Sequence, residues 1–261
     1  MTETSADHKD SYPPTAEFAA AANADAGLHE RAAADRDAFW AEQAGRLHWH
    51  QPWTQVLDWS DAPVAKWFVG GKLNVAYNCL DRHVLAGHGD QIAIHFEGEP
   101  GDTRAITYRE LLHEVCRAAN YLTELGLTAG DRVAIYMPMI PEALIAMLAC
   151  ARLGVTHSVV FAGFSPTALR QRVDDARARL IITTDGQWRR GKTAPLKQAV
   201  DEALAHDDTP SSVENVLVVR RTGVEVPWTE GRDLWWHDTV APASPTHEPE
   251  AFDAEHPLFI L

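Results

Sequence analysis

The densest group of chemically useful side chains in the sequence is the run Trp188, Arg189, Arg190, Gly191 and Lys192. Three cations within four residues suit an anionic ligand, because arginine and lysine form charge-assisted hydrogen bonds with phosphate oxygens. The run follows a predicted strand at Leu180–Thr184, and open α/β sheets bind ligands at the carboxyl ends of their strands. A short basic run is also typical of a solvated loop, so both interpretations stay open at this point.

A second candidate is the segment AGFSP at residues 162–166, a turn of small residues between a predicted strand and a predicted helix. Gly163 has no side chain, so a ligand could pass close to the backbone there. The alternative is a tight turn that serves only to reverse the chain.

The other patterns predict neither a catalytic residue nor a metal site in this span. His48 and His50 would face the same way on a strand, as a metal pair requires, but no third ligand is near in sequence. Ser158 and Ser165 lack the G-x-S-x-G context of a hydrolase. No strand is followed by G-x-G-x-x-G, which argues against half of a nicotinamide dehydrogenase domain.

Composition limits the classes of partner. The chain has 261 residues, of which 46% are hydrophobic, and a net charge of −14, which argues against binding to nucleic acid. Cys79, Cys116 and Cys150 are widely spaced in strongly patterned segments, which predicts buried free thiols without disulfides or zinc. The start lacks a basic and then apolar leader, and charges interrupt the longest apolar run. We therefore expect a cytoplasmic protein without a membrane partner.

The elements that position the two candidate segments alternate between strand and helix. The clearest unit is a strand at 132–136, stopped by Pro138, a helix at Pro141–Leu153 with Gly154 as a left-handed cap, and a strand at 155–161. A helix at Pro166–Ala176, a strand at Leu180–Thr184, a helix at 196–204 and a strand at 216–220 follow. Such alternation predicts an α/β fold, doubly wound, with a mainly parallel sheet and flanking helices.

The parts before and after this core have a different composition. Residues 1–37 are rich in Ala, Asp and Glu, which predicts a solvated tail that is disordered or partly helical. Residues 39–67 carry five tryptophans, and we interpret them as an arm with aromatic anchors. Residues 242–257 contain four prolines among polar residues, which indicates a surface connection before the final apolar strand.

Three long segments together resemble one family. They are LNVAYNCLDRH at 73–83, YMPMIPEALIAMLACARLGVTHSVVFAGFSP at 136–166 and EGRDLWWHD at 230–238. In this order they resemble the acetyl-coenzyme A synthetases of the acyl-adenylate-forming superfamily, over residues 38–261. The resemblance implies an amino-terminal arm at 38–95 and an incomplete AMP-binding domain at 96–261, part of that family's large N-terminal domain.

The resemblance also implies roles for both candidate segments. The basic run is similar to the family's segment that contacts the nucleotide end of coenzyme A, which assigns Arg189, Arg190, Gly191 and Lys192 to that surface. Lys192 stands where arginine is usual, so it keeps the charge but loses the bidentate fork. Ala162 and Gly163 are similar to a Gly-Gly turn beside the pantetheine channel, and Ala162 departs from that pattern.

The activity that the resemblance implies is the ATP-dependent, AMP-forming ligation of acetate to coenzyme A (CoA) through acetyl-adenylate. Mg²⁺ would serve the parent enzyme through ligands outside this span. The chain ends at PLFIL, 257–261, where the family continues into its phosphate loop, so we expect an N-terminal portion. The acyl pocket of the family lies beyond Leu261, which leaves propionate as an alternative substrate. A non-catalytic CoA- or nucleotide-binding module is the alternative from another class.

Overall fold

The computed structural model describes residues 12–205 and 210–261, which belong to two compact units divided between Leu47 and His48. The described part of the first unit contains helices α1 (Ala16–Ala21), α2 (Ala26–Ala34) and α3 (Arg36–Ala44). The side chain preceding each helix accepts a hydrogen bond from a backbone N–H of its first turn, which stabilises the helix start. The predicted tail is thus largely helical where it is described, and its residues 1–11 lie outside the described residues.

The second unit holds the strands and the remaining helices. Two π-helical turns, Tyr77–Asp81 and Val84–His88, lie between its third and fourth strands. Its elements are β1 (Gln55–Asp61), β2 (Val64–Val69), β3 (Lys72–Leu73), β4 (Ile92–Glu97), β5 (Thr103–Thr107), α4 (Tyr108–Glu124), β6 (Arg132–Met137), α5 (Pro141–Leu153), β7 (Thr156–Phe161), α6 (Pro166–Ala176), β8 (Leu180–Thr184), β9 (Gly186–Arg189), β10 (Lys192–Pro195), α7 (Lys197–Ala205), β11 (Asn215–Val219), β12 (Asp233–Trp235), α8 (Trp236–Thr239), β13 (Phe252–Asp253) and β14 (Phe259–Ile260).

A six-stranded parallel sheet forms the centre of this unit, in the order β12-β11-β8-β6-β7-β14. Strand β6 lies in the middle, with Val133 level with His157 of β7 on one side and with Leu180 of β8 on the other. The chain passes from β6 to β7 and then crosses back to β8, so the winding direction reverses between β6 and β8. The prediction of a doubly wound α/β fold with a parallel sheet is confirmed.

Both faces of the sheet are covered, as the period of two along each strand requires. Val133 and Ile135 belong to the core layer that includes residues of α4 and α5, whereas Ala134 and Tyr136 belong to the layer that includes residues of α6 and α7. The central strands β6, β8 and β11 are buried almost throughout, and their sequences are mainly apolar rather than alternating, as expected for strands covered on both faces. The carboxyl ends of the parallel strands lie together along one edge of the sheet, which we call the carboxyl edge.

Helix α5 begins and ends where the sequence predicts. Pro141 occupies its first turn, where a missing N–H is harmless, and Glu142 places a carboxylate at the positive end of the helix dipole. Gly154 ends the helix in the left-handed region, with a φ of +65°, which glycine adopts without a steric penalty. Most of the helix is buried, as expected for a helix covered on several sides.

The tryptophan-rich segment of this unit packs around its own rings. Trp49, Trp53 and Phe68 lie with ring centroids 4.9 to 5.5 Å apart, on and beside the β1–β2 hairpin. Strand β3 then pairs with β13, and the Trp67 N–H donates to Glu255 at 2.7 Å. These contacts join the tryptophan-rich segment to the connection that precedes β14.

The prediction for the cysteines is wrong at one position. The three thiols are free, and Cys116 and Cys150 are buried, but Cys79 is exposed, because the π-helical turn at Tyr77–Asp81 buries its neighbours Asn78 and Leu80 instead. Burial raises the pKa of the Cys150 thiol to about 12. In the described ranges, no helix is long and apolar enough to cross a membrane.

Candidate functional site

The basic run predicted as a loop forms a hairpin at the carboxyl edge of the sheet. After β8, strands β9 and β10 pair in antiparallel fashion, with Arg189 opposite Lys192. Arg190 and Gly191 form the two-residue turn, with φ of +55° and +73°. Two positive φ values are those of a type I′ turn, whose twist matches the strands of a hairpin. We call residues 186–195 the basic hairpin.

The three cations of the basic hairpin are exposed, and none forms an ion pair with a carboxylate of the described residues. Two arginines of the loop after β11, by contrast, have such a partner: Arg220 pairs with Asp238 and Arg221 pairs with Asp102. Arg190 also occupies a φ that non-glycine residues adopt only at a cost. The hairpin thus presents a local positive charge of three on a chain whose net charge is −14.

The structure brings the two sequence-predicted segments together. The Gln187 side-chain amide donates to the Ala162 carbonyl at 2.9 Å. A Cβ added to Gly163 would lie 2.9 Å from Nη1 of Arg189 and 2.4 Å from the Phe161 ring. The absence of a side chain at Gly163 therefore leaves room for Phe161 and Arg189 in their present positions, while the Ala162 side chain is buried in the layer with α6 and α7.

Exposed aromatic rings lie beside this contact, and sequence reasoning missed them. Phe161 and Phe164 meet edge to face at 5.7 Å, although 60% of Phe161 is exposed. The guanidinium of Arg189 lies 5.8 Å from the centre of the Phe161 ring, and that of Arg172 lies 4.5 Å from the centre of the Phe164 ring. Such cation–π contacts orient the arginines along a surface that combines apolar faces with positive charge. A phenylalanine in the last position of the predicted strand, directly before the turn, was the available signal.

Asp185, which sequence reasoning also missed, fixes the base of the hairpin. Its fully buried carboxylate accepts hydrogen bonds from the backbone N–H groups of Gly186, Arg221, Thr222 and Gly223, at 2.6 to 3.2 Å. These donors belong to the loops after β8 and β11, so a single side chain joins two loops of the carboxyl edge. An aspartate directly after a buried strand was the available signal.

The turn between β4 and β5 reaches the same edge. The Glu99 carboxylate accepts a hydrogen bond from the Gly191 N–H, and Asp102 forms a bidentate pair with Arg221 at 2.6 and 2.9 Å. The hydrogen bonds from Arg221 hold the pKa of the Asp102 carboxyl below its usual value. The β4–β5 turn is therefore fixed to the loop after β11 and lies against the tip of the basic hairpin.

A cleft of about 460 Å³ lies on the same edge, beside the loop after β11. Trp228 and Trp235 line it and stack with centroids 4.5 Å apart, and the guanidinium of Arg220 lies 4.4 Å from the centre of the Trp235 ring. Burial and then the charge of Arg220 lower the pKa of His237, whose ring lies beside Trp235. The cleft is lined by aromatic rings and charges of both signs, and it contains none of the residues predicted from sequence.

Comparisons with known proteins give a consistent family assignment. Residues 80–261 match the family model described as AMP-binding enzyme, and residues 26–79 match the model of the acetyl-coenzyme A synthetase N-terminus. The chain is 70% identical over 96% of its length to an acetyl-coenzyme A synthetase of Mycolicibacterium smegmatis, covering 26% of that protein. It is 66% identical over its whole length to the Mycobacterium tuberculosis protein of that name, covering 40% of it, and 65% identical over 96% of its length to that of Streptomyces avermitilis, covering 38%. The chain thus spans about a quarter to two fifths of the length of these relatives.

Proposed function

Because the chain belongs to the AMP-binding enzyme family, we propose that it is the amino-terminal portion of an AMP-forming acetate–CoA ligase. The parent enzyme joins acetate to CoA in two steps. The acetate carboxylate attacks the α-phosphate of ATP to give acetyl-adenylate and pyrophosphate, and the CoA thiol then displaces AMP. Among the described residues, no group of three or more His, Cys, Asp or Glu side chains is placed to hold a metal ion.

Within that enzyme, the basic hairpin supplies part of the CoA surface. The observation that carries this proposal is that Arg189, Arg190 and Lys192 form no ion pair with any carboxylate in residues 12–205 and 210–261, although they lie at the carboxyl edge of a parallel sheet. CoA carries several phosphate charges, and exposed guanidinium and ammonium groups that no described carboxylate neutralises suit such a ligand. The contact between Arg189 and the turn at Gly163 joins this charged surface to the second candidate segment.

The order of the two half-reactions gives a selective test. Acetate and ATP react before the thiol enters, so a residue that binds only CoA does not affect acetate-dependent exchange of pyrophosphate into ATP. We expect Arg189→Ala in the complete enzyme to raise KM for CoA and to leave KM for acetate and ATP nearly unchanged. One lost charge-assisted hydrogen bond weakens binding by roughly 10- to 150-fold, and the exposure of Arg189 places the effect at the low end of that range.

Arg177→Ala is the matched control. Arg177 is also an exposed arginine, but it precedes β8 at the opposite, amino edge of the sheet, so its loss changes the net charge equally without touching the hairpin. Added salt should weaken CoA binding more in the parent and in the control than in Arg189→Ala, because that variant has already lost a screened contact. If KM for CoA is the same in both variants, the hairpin is a solvated surface and the assignment is wrong.

A further inference from the structure

The tip of the basic hairpin is already in contact with an acid of the chain itself. Glu99 lies in the turn between β4 and β5, 92 residues before Gly191 in sequence, and its carboxylate accepts the hydrogen bond of the Gly191 N–H. Glu99 is exposed and does not pair with Arg189, Arg190 or Lys192, none of which has an ion pair in the described part of the chain. The contact is thus made to the backbone of the turn, between the three cations.

The Gly191 N–H is also a suitable donor for an anionic oxygen of a ligand. A backbone N–H at a tight turn with positive φ, surrounded by cationic side chains, is a favourable place for an anionic oxygen. A carboxylate oxygen and a phosphate oxygen are equivalent acceptors for that N–H. While Glu99 occupies the Gly191 N–H, a phosphate of the ligand is excluded from this donor and meets an additional negative charge beside the hairpin.

The β4–β5 turn does not depend on Glu99 for its position. Asp102 fixes the same turn to Arg221 through two hydrogen bonds, and the Gly98 N–H donates to the Asp102 carbonyl at 2.7 Å across the turn. The Glu99 side chain can therefore leave Gly191 without the turn unfolding. Its removal is expected to change the charge at the hairpin rather than the fold.

We propose that Glu99 is an internal competitor for the anion site of the basic hairpin. When CoA binds, one of its phosphates displaces the Glu99 carboxylate from the Gly191 N–H. The proposal rests on the proposed function, since it assigns an affinity-determining residue to the same CoA surface. It predicts that the free energy of breaking the Glu99 contact is subtracted from the affinity for CoA. A residue that merely held the hairpin in place would have the opposite effect, because its removal would weaken binding.

The test compares Glu99→Gln with Glu97→Gln in the complete enzyme. Both substitutions remove one negative charge from an exposed side chain of the β4–β5 hairpin. Glu97 belongs to β4, however, and has no hydrogen bond to the basic hairpin among the described residues. With saturating acetate and ATP, KM for CoA in Glu99→Gln should be about twofold to fivefold lower than KM for CoA in Glu97→Gln, as expected for one exposed charge contact. The difference should shrink at high salt, and acetate-dependent pyrophosphate exchange should be equal in both variants.

Arg189→Ala, measured in the same series, separates the two proposals. If it raises KM for CoA while Glu99→Gln matches Glu97→Gln or raises KM, the CoA surface stands and the competitor role of Glu99 is wrong. If Arg189→Ala leaves KM for CoA unchanged, the proposed CoA surface itself fails. Thermal unfolding of each variant shows whether a change in KM results from a loss of stability. Glu99→Ala provides a second substitution that removes the carboxylate. A lower KM for CoA in both Glu99 variants at unchanged unfolding temperature supports the proposal.

Discussion

Asp185 offers the sharpest test of how the carboxyl edge is assembled. Its carboxylate is fully buried and accepts hydrogen bonds from four backbone N–H groups. One oxygen accepts from Gly186, Arg221 and Thr222, and the other accepts from Gly223 at 2.6 Å and also from Thr222 at 3.2 Å. Asp185→Asn can keep the first oxygen, but it places an NH₂ group against the Gly223 N–H, where two donors meet.

The structure sets the order and the size of the expected effects. A hydrogen bond to a charged acceptor contributes about 1.5 to 3 kcal/mol, and four bonds to one carboxylate share that acceptor, so their contributions are not additive. Asp185→Asn loses the charge and one acceptor, which we expect to lower the free energy of unfolding by about 2 to 3 kcal/mol. Asp185→Ala leaves all four donors without an acceptor and is expected to lower it by about 3 to 5 kcal/mol.

Urea unfolding at pH 7, followed by tryptophan fluorescence, measures these changes. Asp175→Asn is the matched control, because Asp175 is an exposed aspartate on α6, and we expect it to change the free energy of unfolding by less than about 0.5 kcal/mol. The reasoning is refuted if Asp185→Asn resembles this control, or if asparagine is more destabilising than alanine.

Two further predictions concern the same edge and the core below it. Gly163→Ala places a methyl group 2.4 Å from the Phe161 ring and 2.9 Å from Arg189; both side chains are exposed and can move, so KM for CoA should rise several-fold while thermal unfolding changes little. Equal KM values in the parent and this variant would contradict the role of Gly163. Asp233 is buried against Lys197 at 2.8 Å, and although burial raises its pKa, hydrogen bonds from Arg232 and Lys197 outweigh burial and lower the pKa below its usual 3.8. The ionised carboxylate thus stabilises the fold above about pH 4, and this contribution is lost as pH falls through the lower, folded-state pKa. In urea titrations from pH 7 to pH 2, the free energy of unfolding of Asp233→Asn should be about 3 kcal/mol below that of the parent at pH 7. Below pH 4 it should decrease less than the free energy of unfolding of the parent. Parallel plots of the two free energies against pH would contradict this.

The sequence predicts the central sheet well because its signals are local. The limits of α5 follow from Pro141 at its start and Gly154 at its end, and both act within one turn of the helix. The strand β8 is recognised from three apolar residues followed by two β-branched threonines, a composition typical of a buried parallel strand. The position of the basic hairpin at the carboxyl edge then follows from its place after β8, without knowledge of any distant contact.

The contacts of the hairpin are not predictable in the same way, because their donors are backbone groups. Every residue except proline has an N–H, so the sequence carries no sign that the N–H of Gly191 meets Glu99 or that the N–H of Gly223 meets Asp185. The exposure of Cys79 is missed for a related reason. A π-helical turn rotates side chains away from the positions that an ordinary helical period predicts, and nothing in the residue types marks that turn.

The acids and the cations at the carboxyl edge have different kinds of partner. The acids Asp102 and Asp185 are committed to internal partners, Arg221 and the N–H groups of two loops, and so hold the edge in one arrangement. The cations of the basic hairpin lack such partners in the described part of the chain and remain available to a ligand. Glu99 differs from both sets of residues. It is an acid, but its partner is the Gly191 N–H, which is the donor that we propose for a phosphate of CoA. Substitution of Asp185 should therefore change stability first, whereas substitution of Glu99 should change affinity at constant stability.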